Sequence, residues 1–583
     1  RWREKPTAEN LPSRSARAVI RRDRTTVVAV VALATAKLSS SQVIEGAQAA
    51  ISNAEIFKTI EIVSSNPEMQ AALTLRGMTD FSALFCAPRT VGNFGTRQER
   101  EKRLVKADCF DLRENPDNVF ATPIEGLFAT VDLDAGEVIE VTDLGVVPIP
   151  QGSHSLSPEA QPALRSRTRS PATTREFAIE GSVVSWENWQ FHVGWSTHDG
   201  LILSDVRYKE NNKWRSVLYE GHLSELYVPY MDPTEGWYFR NYFDQGDYGI
   251  GTTVSPLVKG SDCPEGAAYL SPLTTGPSGK PQALVDAICV FERNLGEPTW
   301  RHFDIVSESL TSRPDRDLVV RFISTIGNYD YLFDWILDAK GRITFRGGAT
   351  GLDAVKAVRS NTISDATAAT DTEYGPLIAP GRAGINHDHF FSLRLDMDID
   401  GTANRFVKDE FYVEEQPSTS KRRSIWRVRE KVLTSEKQAR LNINLAKPSI
   451  WRVQNEAVRN AVGYPVSYVL KPGHNAMPLV DPADSPLARA GFVNHHLWVT
   501  RRSPEERWAA GEFPNQSEAG QGLPAWSAQG RDIENQDIVL WYTMGFHHVP
   551  SSEDWPVYNT GWHSVTLAPY NFFDSNPAID LPD

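Results

Sequence analysis

The chain has 583 residues, 40% of them hydrophobic and 23% charged, the make-up of a soluble globular protein too long for one ordinary core. Its formal net charge of −14 argues against non-specific nucleic-acid binding and weakly favours cationic ligands. The four cysteines, Cys86, Cys109, Cys263 and Cys289, are too few for a disulfide scaffold and lack the Cys-x-x-Cys spacing of a structural zinc site, and no apolar run reaches the roughly 18 residues of a membrane span.

Residues 1–40 open with charged, unpatterned sequence and then carry β-branched Val27, Val28, Val30 and Val31, which read as the remnant of a first small α/β domain. The basic cluster Arg21 to Arg24 before Val27–Ala34 is internal, so it reads as part of a strand and not as a signal peptide. From Ser52 the pattern turns helical, with Ile56, Ile60 and Val63 on one face. A second helix follows, with Asn66 as its cap, Pro67 at its first position, Met69 and Leu73 on one face, and Gly77 at its end. Phe128–Leu133, the turn Asp134-Ala135-Gly136 and Glu137–Val141 form a hairpin. Residues 41–147 are therefore read as a second small α/β domain, and residues 148–176, rich in Pro, Ser and Arg, as a linker.

Beyond it, aromatic-rich β segments run to the C-terminus: Trp186–Trp195, the turn Asp199-Gly200, Leu201–Tyr208, Leu318–Leu337, the turn Lys340-Gly341, and Ile343–Phe345. With no helix–strand alternation and no fixed-period repeat, residues 177–583 read as one large antiparallel β-sandwich. The fold class is α+β, with small N-terminal α/β domains preceding that sandwich.

Within Val319–Leu337, polar Asn328 and Asp330 flank Tyr329 where strand propensity favours Val or Ile. His387-Asp388-His389 is a His-x-His pair whose imidazoles reach one metal if the segment is a strand; a surface turn is the alternative. Asp244, wedged among aromatics in Tyr242-Phe243-Asp244, is placed as a partly desolvated base, the alternative being a turn aspartate. Asp396-Met397-Asp398-Ile399-Asp400-Gly401 opens like an EF-hand loop, but Val407 stands where the bidentate Glu belongs.

The run Arg321–Trp335, with Asn328-Tyr329-Asp330-Tyr331 at its centre, closely resembles the cofactor strand of copper amine oxidases, in which the first tyrosine becomes topaquinone. The resemblance implies copper(II) on His387, His389 and a third histidine ahead of Glu553-Asp554-Trp555-Pro556; its register selects His548 over His547. It further implies Asp244 as catalytic base, Tyr230 as a hydrogen-bond partner of the quinone, Tyr242 as substrate gate and Asn328 as a restraint on the ring. A peripheral calcium site would use Asp396, the Met397 carbonyl, Asp398, Asp537 and the Ile538 carbonyl, and Cys263 would pair with Cys289. Cys86 and Cys109 find no counterpart and are expected free and buried, and His495-His496 is assigned no metal. The implied activity is oxidation of a small primary amine by O2 to aldehyde, ammonia and hydrogen peroxide, in a homodimer. Rival classes are a non-haem metal oxygenase and a catalytically silent adhesion or scaffold protein. A disulfide favours an oxidising, secretory compartment, with the peroxisome as alternative; Asn515-Gln516-Ser517 is a glycosylation acceptor if the chain is secreted.

Overall fold

A computed structural model describes residues 13–157, 175–275 and 280–581. Most of the 148–176 segment read as a linker lies outside them; of its preceding end, His154 is held by Asn118, whose Nδ2 donates to the His154 carbonyl (2.9 Å). Ser15–Arg22, Thr25–Ala32 and Lys37–Ile44 form a three-stranded antiparallel sheet, with Asp23 and Arg24 in the first turn.

Next come two capped helices. Ser52 and Glu55 exchange side-chain and backbone hydrogen bonds in a capping box that starts helix Asn53–Ser64. Asn66 accepts from the Glu68 and Met69 amides to start helix Pro67–Leu75, and Gly77 follows at φ +82°. Val63, Met69 and Leu73 bury the apolar faces of both helices against a four-stranded sheet, Leu84–Thr90, Leu104–Asp111, Pro123–Asp132 and Glu137–Asp143.

Cys86 and Cys109, expected free, are bonded to each other. Strand register explains this, because the two residues face each other directly on adjacent strands, a relation that sequence spacing does not display. Cys263 and Cys289 are also bonded, so no described cysteine is free. Their separation of 26 residues stabilises the fold by about 3 kcal/mol in the chain-entropy account.

The remainder is organised by two ten-stranded sheets that are antiparallel in every pairing. Their inner faces share one core. Leu223, Leu393, Leu395 and Leu540 come from one sheet, and Val320, Phe333, Trp335 and Phe345 from the other. Burying side chains of this size contributes roughly 1.5–3 kcal/mol each.

The segment expected as one β stretch, Leu318–Leu337, is two strands, Ser309–Ile326 and Tyr329–Asp338. They turn through Gly327-Asn328, with Gly327 at φ +59°, the first central position that a tight hairpin gives to glycine. Tyr329 is therefore the first residue after a hairpin turn, at the end of the sandwich. Opposite it stands Gly351, where an added Cβ would come within 2.7 Å of the Asn328 carbonyl oxygen. Any other residue there would push the tyrosine out of place.

Candidate active site

The strand His387–Met397 pairs with Ile538–His548 in one sheet, while Tyr329 leads a strand of the other, so side chains from both sheets meet here. Alternation puts His387 and His389 on the same, inner face. Register places His548 opposite His387 and His547 opposite Asp388. His387, His389 and His548 each offer a ring nitrogen, and the three nitrogens lie within 4.8 Å of one another. His547 faces away, with Nδ1 2.6 Å from Asp388 Oδ1.

Hydrogen bonds at the other ring nitrogen orient His387 and His389. His387 Nδ1 donates to the Ile385 carbonyl (2.7 Å), leaving a bare Nε2. His389 Nδ1 lies 3.3 Å from the Tyr331 hydroxyl, and its Nε2 is buried with no hydrogen-bond partner. His548 Nδ1 lies 3.2 Å from His387 Nε2, and its Nε2 is buried with no hydrogen-bond partner. Three ring nitrogens converge. Burial, then His548, pushes His387 down to about 3 against the Ile385 bond, and burial with the neighbouring imidazoles holds His389 well below the ordinary range. Buried neutral imidazoles with an unpartnered nitrogen fit a borderline metal such as Cu(II).

Tyr329 reaches into this cluster. Its hydroxyl donates to Asp353 Oδ1 (2.6 Å) and lies 2.8 Å from His387 Nε2 and 3.2 Å from His548 Nδ1. Its ring stacks on Tyr331, with centroids 5.7 Å apart. Asn328 Nδ2 donates to the Leu352 carbonyl (2.6 Å), and the Tyr230 hydroxyl bonds the Asn328 side chain while its ring stacks on His387.

Asp244 opens a single-turn helix, Asp244–Tyr248. Burial first and then Asp247 raise its carboxyl well above the ordinary aspartate range; the hydrogen bond from the Tyr331 hydroxyl opposes this. A polar path thus joins Asp244 to the histidine cluster, His389 to Tyr331 to Asp244. A cavity of about 290 Å³ opens on Asp244, Tyr242 and Asn328.

Two residues here were not singled out from the sequence. Tyr331 carried a usable signal, since it lies two residues after Tyr329 on the same strand face. Asp353 carried none, because the chain returns it to Tyr329 only after the Ile343–Gly351 strand.

At the far end of the same strand pair, Met397 faces Ile538, and oxygens of Asp396, Asp398 and Asp537 lie within 4.8 Å of one another. Asp396 Oδ2 accepts from Arg502 (2.8 Å) and Arg394 (3.1 Å); its Oδ1 is buried and has no hydrogen-bond partner. His496 instead accepts from the Ile443 amide, and neither it nor His495 belongs to a metal-capable group among the described residues. Asn515, read as a glycosylation acceptor, is fully buried with its Nδ2 donating to the Ala49 carbonyl, so the folded chain does not present it.

Residues 178–583 match the family described as copper amine oxidase, enzyme domain, and residues 54–156 match copper amine oxidase, N3 domain. The chain is 38% identical over 541 residues to amine oxidase [copper-containing] gamma 1 of Arabidopsis thaliana, covering 90% of this chain and 75% of that protein. It is 35% identical to the primary amine oxidase of Klebsiella aerogenes, covering 95% and 74% of the two. In fold it resembles a copper-containing benzylamine oxidase from Hansenula polymorpha at a TM-score of 0.89, covering 98% of this chain and 91% of that one at 23% identity.

Proposed function

The chain belongs to the copper amine oxidase family and is a primary-amine oxidase, and on that premise we propose that Tyr329 matures to topaquinone beside a copper(II) held by His387, His389 and His548. The overall reaction converts a primary amine, O2 and water to an aldehyde, ammonia and hydrogen peroxide. The observation that carries the reading is the meeting of the Tyr329 hydroxyl with the ring nitrogens of His387 and His548. Bound copper supplies activation of the ring towards O2, and the quinone supplies the carbonyl and electron sink for the amine.

The chain's own residues do the rest. Asp353 and the two imidazoles fix the Tyr329 oxygen, while Asn328 and Tyr230 restrain the ring's surroundings. Asp244 removes the α-proton from the bound amine, and Tyr242 gates the cavity above it. Adding simple primary amines and measuring peroxide release, together with the mass of the Tyr329 peptide with and without copper and air, tests the reading. No peroxide and an unchanged tyrosine in the copper-loaded, aerated protein would overturn it.

Asp244→Asn is expected to lower turnover roughly 10²- to 10⁴-fold, because an amide cannot accept the proton at neutral pH. For the parent enzyme, kcat/KM should fall as pH drops through the Asp244 pKa, since only the carboxylate acts as base. Burial raises that pKa, so the acid limb should lie above the ordinary aspartate range. A loss of less than about tenfold in the variant would mean another residue is the base.

Calcium at Asp396, Asp398 and Asp537, joined by the Met397 and Ile538 carbonyls, is supported by the buried, unpartnered Asp396 oxygen. The two disulfides support an oxidising compartment. A homodimer is supported by two protruding hairpins whose tips expose apolar side chains: Phe303, Ile305, Val306 and Leu310 on one, Val413 and Trp426 on the other. Light scattering should return twice the mass of one chain; a single-chain mass at micromolar concentration would remove the homodimer.

A further inference from the structure

The cavity over Asp244 has an outer wall contributed by the small N-terminal sheet. In strand Leu84–Thr90, at the edge of that sheet, alternation puts Phe85, Ala87 and Arg89 on one face, and all three line the cavity. Ile56, from the first helix, and Phe120 add to the same wall. Opposite stand Tyr242, Tyr248, Ile326 and Asn328. The wall is therefore apolar and aromatic, with one cation in it.

That cation is fixed. Arg89 is 6% exposed and held by Asp108, which accepts from its Nε and, at 3.2 Å, from a terminal nitrogen. Arg240 donates to the same Asp108 carboxylate at 3.2 Å, so Arg89 shares its acid with a second guanidinium, beside which Glu125 also lies. Among the described residues lining the cavity, Asp244 is the sole carboxylate and Arg89 the sole cation. Asp244 is committed to the α-proton. A second ammonium on the substrate would thus enter a desolvated space with no acid to receive it and a guanidinium in the wall, an arrangement that rejects it by like charge.

We propose that Arg89 makes this enzyme selective for monoamines with an apolar or aromatic tail, and against diamines. The inference rests on the amine-oxidase reading and refines it to a substrate class. The cavity volume of about 290 Å³ accommodates a tail of phenyl or hexyl size, and the aromatic lining supplies the contact area.

Matched pairs test it: hexylamine against 1,6-diaminohexane and against 6-aminohexanoate, with 2-phenylethylamine as the aromatic member, each followed as kcat/KM from peroxide release. The monoamines are expected to exceed the diamine by at least about tenfold. Arg89→Met should raise the diamine-to-monoamine ratio, whereas Arg89→Lys, which keeps the charge, should preserve it. Asp108 retains Arg240 in the Met variant, so no buried carboxylate is stranded. The parent enzyme's own ratio tests the inference even if that variant fails to fold. Equal use of the diamine and hexylamine overturns this inference alone. Preference for 6-aminohexanoate over hexylamine also overturns it, making Arg89 an anion receptor. Absence of peroxide from every amine overturns the underlying reading and this inference with it.

Discussion

Tyr329→Phe should yield a folded chain that binds copper at the parent stoichiometry, shows no quinone absorbance and has no measurable turnover. The ring's packing survives the change, since Phe keeps the stacking on Tyr331 and the edge contact with His389. What disappears is one oxygen. Asp353 then loses the donor that now reaches it at 2.6 Å, a buried loss of roughly 1–3 kcal/mol that a domain of ordinary stability survives. His387, His389 and His548 are untouched by the change, so copper should be retained. Metal analysis, the visible spectrum after aeration and a peroxide assay read the three consequences separately. Amine oxidation by the variant would mean that the cofactor is not made from Tyr329.

The parts of this site that were legible in the sequence are those governed by local periodicity. His387 and His389 share a face because they are two apart on a strand, and Asp244 stands out because a carboxylate among aromatics is costly without a task. Other features depend on which strand lies beside which. Cys86 meets Cys109 only through the register of two adjacent strands, and Asn515 is buried only because residues around Ala49 fold over it. Asp353 reaches Tyr329, and Arg89 reaches the Asp244 cavity, across long chain separations or between separate sheets. The hairpin at Gly327-Asn328 is a different case. Its turn dipeptide was visible, yet the continuous apolar run on either side hid the break, because strands buried on both faces lose the period-2 pattern.

The histidine pair near the C-terminus gives the sharpest test of the metal centre, because adjacent residues of one strand should behave in opposite ways. In the pairing of Ile538–His548 with His387–Met397, His548 stands opposite His387 and His547 opposite Asp388. His548 is 6% exposed and turns Nδ1 to the cluster, while the His547 side chain is 36% exposed and binds Asp388 on the other face. His548→Ala removes one of three converging ring nitrogens. Copper affinity should fall by more than the roughly 10- to 100-fold typical of changes just outside a metal's ligands, and the quinone should fail to form. His547→Ala removes a partly solvated contact whose loss costs on the order of 1 kcal/mol or less. Copper content and quinone absorbance should stay at parent levels. Folding is controlled by comparing the unfolding midpoints of both variants as apoproteins, where neither gains from metal binding. Loss of copper in the His547 variant with retention in the His548 variant would shift the assignment of the C-terminal strand by one residue and put the metal on the other face of the sheet.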